Sequence, residues 1–267
     1  MILESIILAG IIGVIIGFVL AIVEKVFAVK SDERYEAILS VLPGINCGAC
    51  GFPGCSGYAQ SLAQGKSEPN LCSVGGISVA QKISEIIGVE LKQVEKRVAV
   101  LLCQGGRSKS IEKFNYKGIS SCSAVNIIDG GNKACSYGCL GLGDCVLVCQ
   151  FDALKMGSDK LPIVDKEKCT ACGKCVQTCP RGLFELIPIS RTPVVLCKSR
   201  ENGPDTRKNC KIGCIACRIC EKKCPVSAIK VIDNLAVIDY SICTSCGICV
   251  EACPQKVIVN VVPKNKE

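Results

Sequence analysis

The chain has 267 residues with a formal net charge of +8; 24 are cysteine and none is histidine or tryptophan. That length admits one large domain or two to three small ones. Without histidine, the commonest zinc ligand and the commonest general acid and base are both missing.

The cysteines fall in groups two to four residues apart, too close for most of them to pair as disulfides without strain. Metal ligation is the remaining use for so many thiols. A cubane with four thiolates carries about −2 when oxidised, so five of them would bring the total to about −2. With aromatic residues at only 4%, a nucleic-acid surface has little support.

In chain order, Ile6 to Val23 is an uncharged, almost wholly apolar run between Glu4 and Glu24, just long enough for a transmembrane helix. The alternatives are a signal peptide and a buried helix. The run has neither a basic leader nor a small-residue cleavage site, so an oxidising compartment is not implied. Lys25, Lys30 and Arg34 follow the span and place the rest of the chain in the cytoplasm. Gly13 and Gly17 offer a small-residue face to another membrane helix.

Ser31 and Asp32 can cap a helix whose Tyr35, Ile38, Leu39 and Leu42 share one face, with Pro43 and Gly44 ending it. Ile77 to Val89 reads as a second amphipathic helix with Gly88 near its end. Val98 to Leu102 reads as a strand, followed by a polar loop. From Cys135 the sequence repeats: Cys135–Pro188 resembles Cys214–Val262 in cysteine order and in the strand-like runs Leu161–Val164, Leu235–Ile238 and Val257–Val262. Residues 189–209, with Pro193, Asn202, Gly203 and Pro204, read as the linker.

Three groups share the spacing C-x2-C-x2-C-x3-C-P: Cys169, Cys172, Cys175 and Cys179; Cys214, Cys217, Cys220 and Cys224; Cys243, Cys246, Cys249 and Cys253. Three thiolates so close can wrap one cubane while the fourth, carried off by the proline, ligates the neighbouring one. Cys135, Cys139, Cys145 and Cys149 form a looser group with Gly138, Gly141 and Gly143 interleaved, completing a two-cluster unit. Exchange of fourth ligands gives the expected sets Cys135, Cys139, Cys145 with Cys179; Cys169, Cys172, Cys175 with Cys149; Cys214, Cys217, Cys220 with Cys253; and Cys243, Cys246, Cys249 with Cys224.

Cys47, Cys50, Cys55 and Cys72, interleaved with Gly48, Gly51 and Gly54, suit one separate cubane, with structural zinc as the alternative. Cys103, Cys122, Cys197 and Cys210 remain. They are the right number for a sixth cluster gathered from distant segments, and equally they fit ordinary buried thiols. There is no G-x-G-x-x-G after a strand, no phosphate-binding loop and no nucleophile motif, so no flavin, nicotinamide or substrate site is visible. A catalytic subunit or a redox sensor are the competing functional classes; the first would need an open iron position, whereas every recognisable set has four cysteines.

The segments from Asn46 to Cys55, from Ala134 to Cys145 and from Cys169 to Cys175, together with the order of anchor, first cysteine domain and ferredoxin repeats, resemble the B subunit of the Rnf complex. That complex is the ion-translocating ferredoxin:NAD oxidoreductase of bacterial membranes. The resemblance implies a subunit that receives electrons from soluble ferredoxin and passes them to membrane and peripheral subunits, with sodium or proton transport coupled elsewhere. A second two-cluster unit distinguishes the chain from shorter members.

The expected fold is α+β: one N-terminal transmembrane helix, a small helical [4Fe–4S] domain and two bacterial-type two-cluster ferredoxin-like units. The expected boundaries are 1–26 for the anchor, 31–92 for the first cluster domain, 93–132 for a connecting segment, 133–188 and 210–267 for the two units, and 189–209 for the linker.

Overall fold

The computed structural model describes residues 10, 11, 13–22, 33–91 and 95–261. Residues 10, 11 and 13–22 are helical, and Val14, Phe18 and Leu20 are more than 60% exposed. Among the described residues no helix is long and apolar enough to cross a membrane. The expected span Ile6–Val23 lies partly outside them.

Helices α1 (Glu33–Val41), α2 (Cys55–Ala63) and α3 (Gly76–Ile87) build the first domain. Ile38, Leu42, Tyr58, Leu62 and Ile83 recur at helical spacing and close on one another as its core. Each fully buried large side chain contributes about 1.5–3 kcal/mol. Pro43 lies just beyond α1. Gly88 ends α3 in the left-handed region at φ 73, its amide donating to the Ser84 carbonyl at 2.8 Å. Ser31 and Asp32, the expected caps of α1, lie outside the described residues.

The remaining strands pair antiparallel in two-stranded sheets, which with the short helices makes the described chain α+β. Strand β1 (Arg97–Leu101) runs against β4 (Phe184–Pro188), with Ala99 opposite Leu186. The connecting segment thus supplies a strand to the first two-cluster unit. Both faces of β1 are covered: Val98 and Val100 pack with Ile187 and Val194, while Ala99 and Leu101 pack with Leu183 and Phe184. In the same unit β2 (Leu154–Met156) pairs with β3 (Pro162–Val164).

Residues 189–209 carry more structure than a linker reading suggests. They hold strand β5 (Val194–Val195) and, after α4 (Cys122–Ile127), α5 (Asp144–Leu147) and α6 (Lys174–Thr178), helix α7 (Gly203–Asn209). Apolar Val194 and Val195 are buried, and β5 pairs with β8 (Ile258–Val259) near the C-terminal end of the second unit. That unit also contains α8 (Ile219–Lys223), α9 (Ile248–Ala252) and a hairpin of β6 (Ile229–Ile232) and β7 (Leu235–Ile238). Asp233 and Asn234 turn the hairpin with φ of 46 and 62, as a tight two-residue turn requires.

The cysteine repeats share one backbone. Helices α5, α6, α8 and α9 each follow a left-handed residue: Gly143, Gly173, Arg218 and Gly247. Three residues after the last cysteine of each group, at Asp152, Gly182, Ser227 and Lys256, the chain again takes a positive φ. The loose group ending at Cys149 therefore follows the same path as the three regular ones. Its irregularity lies upstream of Gly143.

Candidate metal centres

In the first domain, Cys47, Cys50, Cys55 and Cys72 line one hollow of ≈ 340 Å³, measured with its open mouth. Tyr58 holds the far side. Its hydroxyl donates to the Glu68 carbonyl at 2.6 Å and accepts the Leu71 amide at 3.2 Å, which fixes the segment bearing Cys72. On the near side Asn46 Oδ1 accepts the Cys55 amide at 2.8 Å. A Cβ on Gly54 would stand 2.9 Å from that oxygen, and with φ 151 this position needs glycine.

In the first unit, Cys149, Cys169, Cys172 and Cys175 line a second hollow of ≈ 340 Å³. In the second unit, Cys214, Cys217, Cys220 and Cys253 line one of ≈ 330 Å³. Cys249 is buried in the core of that unit, with Cys224 and Cys243 packed against the same core. These groupings coincide with the expected exchange of fourth ligands.

The remaining first-unit set differs from expectation. The hollow of ≈ 390 Å³ around Cys139, Cys145 and Cys179 is lined by Cys122, and Cys135 faces another one. The reason is spacing. Gly143 occupies the place of Gly173 and Gly247, so Cys145 and Cys149 match the third and fourth cysteines of a regular group. The residues between Cys139 and Gly143 lengthen the loop and carry Cys135 away. Asp144 brings Cys122 in: its carboxylate accepts the Cys122 amide at 2.8 Å, the Ser123 amide at 3.2 Å and the Ser121 hydroxyl at 2.9 Å. Partial burial opposes its charge, but these hydrogen bonds prevail and hold the carboxyl below the usual range.

Backbone amides point at sulfur throughout. Gly75 donates to Cys72, Ala99 to Cys169 and Leu183 to Cys179 at 3.4 Å, and Ala228 to Cys224 at 3.3 Å. Burial pushes the thiols of Cys139, Cys145 and Cys175 up to about 12 and those of Cys220 and Cys249 up to about 11. Metal-free, these thiols stay neutral at physiological pH, so loading must displace their protons.

Among the described residues no group of three or more His, Cys, Asp or Glu converges tightly enough for a single metal ion. The thiols line hollows of similar size. Asp144, Tyr58 and Asn46 carry no local sequence signal for their roles. The capping serine at Ser121, before an apolar helical turn, was the one available clue that Cys122 belongs to an ordered element.

Repeated four-cysteine hollows on ferredoxin-like backbone define the class: a multi-centre iron–sulfur protein. The chain matches the families described as putative Fe-S cluster over residues 42–74, 4Fe-4S binding domain over 162–185 and 4Fe-4S dicluster domain over 213–258. It is 42% identical to the B subunit of the ion-translocating oxidoreductase complex of Methanosarcina acetivorans, over 94% of this chain and 95% of that protein. It is also 42% identical to the B subunit of the Na(+)-translocating ferredoxin:NAD(+) oxidoreductase complex of Acetobacterium woodii, over 96% and 77% of the two chains. Its identity to the B subunit of the proton-translocating ferredoxin:NAD(+) oxidoreductase complex of Clostridium ljungdahlii is again 42%, over 94% and 90%. The chain belongs to the B-subunit family of these Rnf-type ion-translocating oxidoreductase complexes.

Proposed function

We propose that this chain is the iron–sulfur conductor of such a complex, carrying electrons from reduced soluble ferredoxin towards membrane subunits that reduce NAD and move sodium or protons. The observation that carries the reading is the repeated enclosure of four cysteines around hollows of similar size. Five [4Fe–4S] clusters are assigned. Their ligands are Cys47, Cys50, Cys55, Cys72; Cys122, Cys139, Cys145, Cys179; Cys149, Cys169, Cys172, Cys175; Cys214, Cys217, Cys220, Cys253; and Cys224, Cys243, Cys246, Cys249. Each cluster supplies reversible storage of one electron at low potential. The chain's own part is to supply thiolates, aim amides at the sulfurs and exclude water.

The apolar N-terminal run is assigned as the membrane anchor, with the cluster domains on the cytoplasmic side. Electrons enter at the second unit. Cys217 and Cys246 are the exposed cysteines, and both lie there. Arg218, Lys222 and Lys223 stand exposed beside them, a basic rim suited to an acidic carrier. The domain of Cys47 lies nearest the anchor and delivers to the membrane partners.

The test is iron and acid-labile sulfide on anaerobically purified protein, with EPR after dithionite reduction, followed by Cys50→Ala in membranes. The variant is expected to lose ferredoxin-dependent NAD reduction while the remaining clusters still reduce. Unchanged turnover would remove this cluster from the path, and stoichiometric zinc with little iron would overturn the reading itself.

A further inference from the structure

Four cysteines fall outside the five assigned sets: Cys103, Cys135, Cys197 and Cys210. They come from four segments, and none of the family matches covers them. All four line a single hollow of ≈ 420 Å³, floored by Leu102 and Leu196 and comparable in size to the others.

The fold gathers them by backbone pairing rather than by a motif. Residues 109–113 run between two other segments. On one side the Ile111 amide donates to the Asn209 carbonyl at 3.0 Å and the Lys211 amide to Lys109 at 2.8 Å; on the other, Ala134 donates to Ile111 at 2.9 Å and Lys113 to Asn132 at 2.7 Å. This brings Cys135 and Cys210 to the loop after Cys103. The pairing of β5 with β8 sets Cys197 against the second unit.

The local chemistry matches the recognised sets. The Cys139 amide donates to Cys103 Sγ and the Cys214 amide to Cys197 Sγ, both at 3.4 Å. A Cβ on Gly105 would stand 3.1 Å from Cys210 Sγ, so the backbone passes directly over the sulfurs. Beside them Lys133 is 2% exposed, its ammonium donating to the Gly105 carbonyl and the Ser110 hydroxyl, both at 2.7 Å. Among the described residues it has no carboxylate partner within ion-pair distance. A buried cation needs a counter-charge, and a thiolate-ligated cluster provides one.

We propose that Cys103, Cys135, Cys197 and Cys210 hold a sixth [4Fe–4S] cluster at the junction of the two ferredoxin-like units. The assignment rests on the iron–sulfur reading above and extends it. Cys139 and Cys214 are ligands of the flanking units, so one N–H···S hydrogen bond joins the junction to each side. Each passage takes one electron from one neighbour and gives the same electron to the other, with no net oxidation.

The experiment counts iron and sulfide per full-length chain, purified anaerobically, alongside paired variants. The wild type is expected to hold about 24 irons, Cys135→Ala with Cys197→Ala about 20, and Cys135→Ala with Cys145→Ala about 16, because only the last pair strikes two clusters. A fully loaded wild type at about 20 irons, or with one zinc in addition, overturns the junction cluster and leaves the other five standing. The reversed pattern, about 16 irons for Cys135→Ala with Cys197→Ala and about 20 for Cys135→Ala with Cys145→Ala, would return Cys135 to the set of Cys145 and overturn the junction set as drawn. If the variants do not accumulate, the wild-type count decides between about 24 and about 20 alone. Near-absence of iron would instead sink the underlying iron–sulfur reading.

Discussion

The carboxylate of Asp144 lies 2.8 Å from the backbone amide of Cys122, so the residue before one thiol positions another thiol more than twenty positions away. Replacing Asp144 by Ala leaves the first amides of α4 and the Ser121 hydroxyl without their acceptor. A charge-assisted hydrogen bond in a half-buried setting is worth about 1.5–3 kcal/mol. Asp144→Ala is therefore expected to lower the guanidinium midpoint for bleaching of the visible iron–sulfur absorption, with one EPR component lost first. Bleaching that matches the wild type in every component would show that the carboxylate does not position Cys122.

Lys133 sits where its charge acts on both Cys103 and Cys139. A fixed positive charge favours the reduced, more negative state of a nearby cluster, so removing it makes reduction harder. For a charge roughly 8 Å away at an effective dielectric of about 20, the effect is about 2 kcal/mol, or on the order of 90 mV for one electron. Lys133→Met is expected to lower one or two midpoint potentials in an EPR-monitored titration while iron content stays at the wild-type level. An unchanged set of potentials would show that the charge does not reach a cluster.

Arg181 ties the loop before Cys139 to the chain just after Cys179. Its guanidinium donates to the Cys135 carbonyl at 2.8 Å and the Gly138 carbonyl at 2.9 Å, and also to the carbonyl of Gly130. A lysine has a point charge where the arginine has a planar fork. Arg181→Lys is expected to recover little of what Arg181→Leu loses, with each variant costing about 2–4 kcal/mol in denaturant-driven cluster loss. Full rescue by lysine would mean that charge alone suffices.

The rim beside the second unit should act through association. Arg218 pairs with Glu221 at 3.6 Å and stays largely exposed. Charge reversal with Arg218→Glu and Lys222→Glu is expected to raise the KM for reduced ferredoxin about tenfold or more at low salt, with a smaller effect at high salt, and to leave iron content and kcat near wild type. If KM holds constant across ionic strength, ferredoxin docks elsewhere.

The regular cysteine groups were readable in the sequence because their chemistry is local. A C-x2-C-x2-C run winds three thiolates round one cubane whatever the rest of the chain does, and Cys169, Cys214 and Cys243 each begin such a run. The amphipathic stripes of α1 and α3 were equally legible, since Ile38 and Ile83 repeat at helical spacing. Residues 189–209 misled because their Pro and Gly content signals loop, while the pairing of Val194 with Val259 depends on a strand more than sixty residues away.

The cysteine spacing and the hydrophobic periodicity were enough to give the class of the protein and its α+β units, because both signals are local in the chain. The hollows that Cys103, Cys122, Cys135, Cys197 and Cys210 line follow instead from contacts between distant segments. Cys122 and Cys135 exchange places relative to the reading by spacing, because the long loop after Cys139 frees Cys135 and the Asp144 carboxylate draws in Cys122. Spacing predicts ligands only within the reach of one turn; beyond it, hydrogen bonds between distant segments choose which thiols meet.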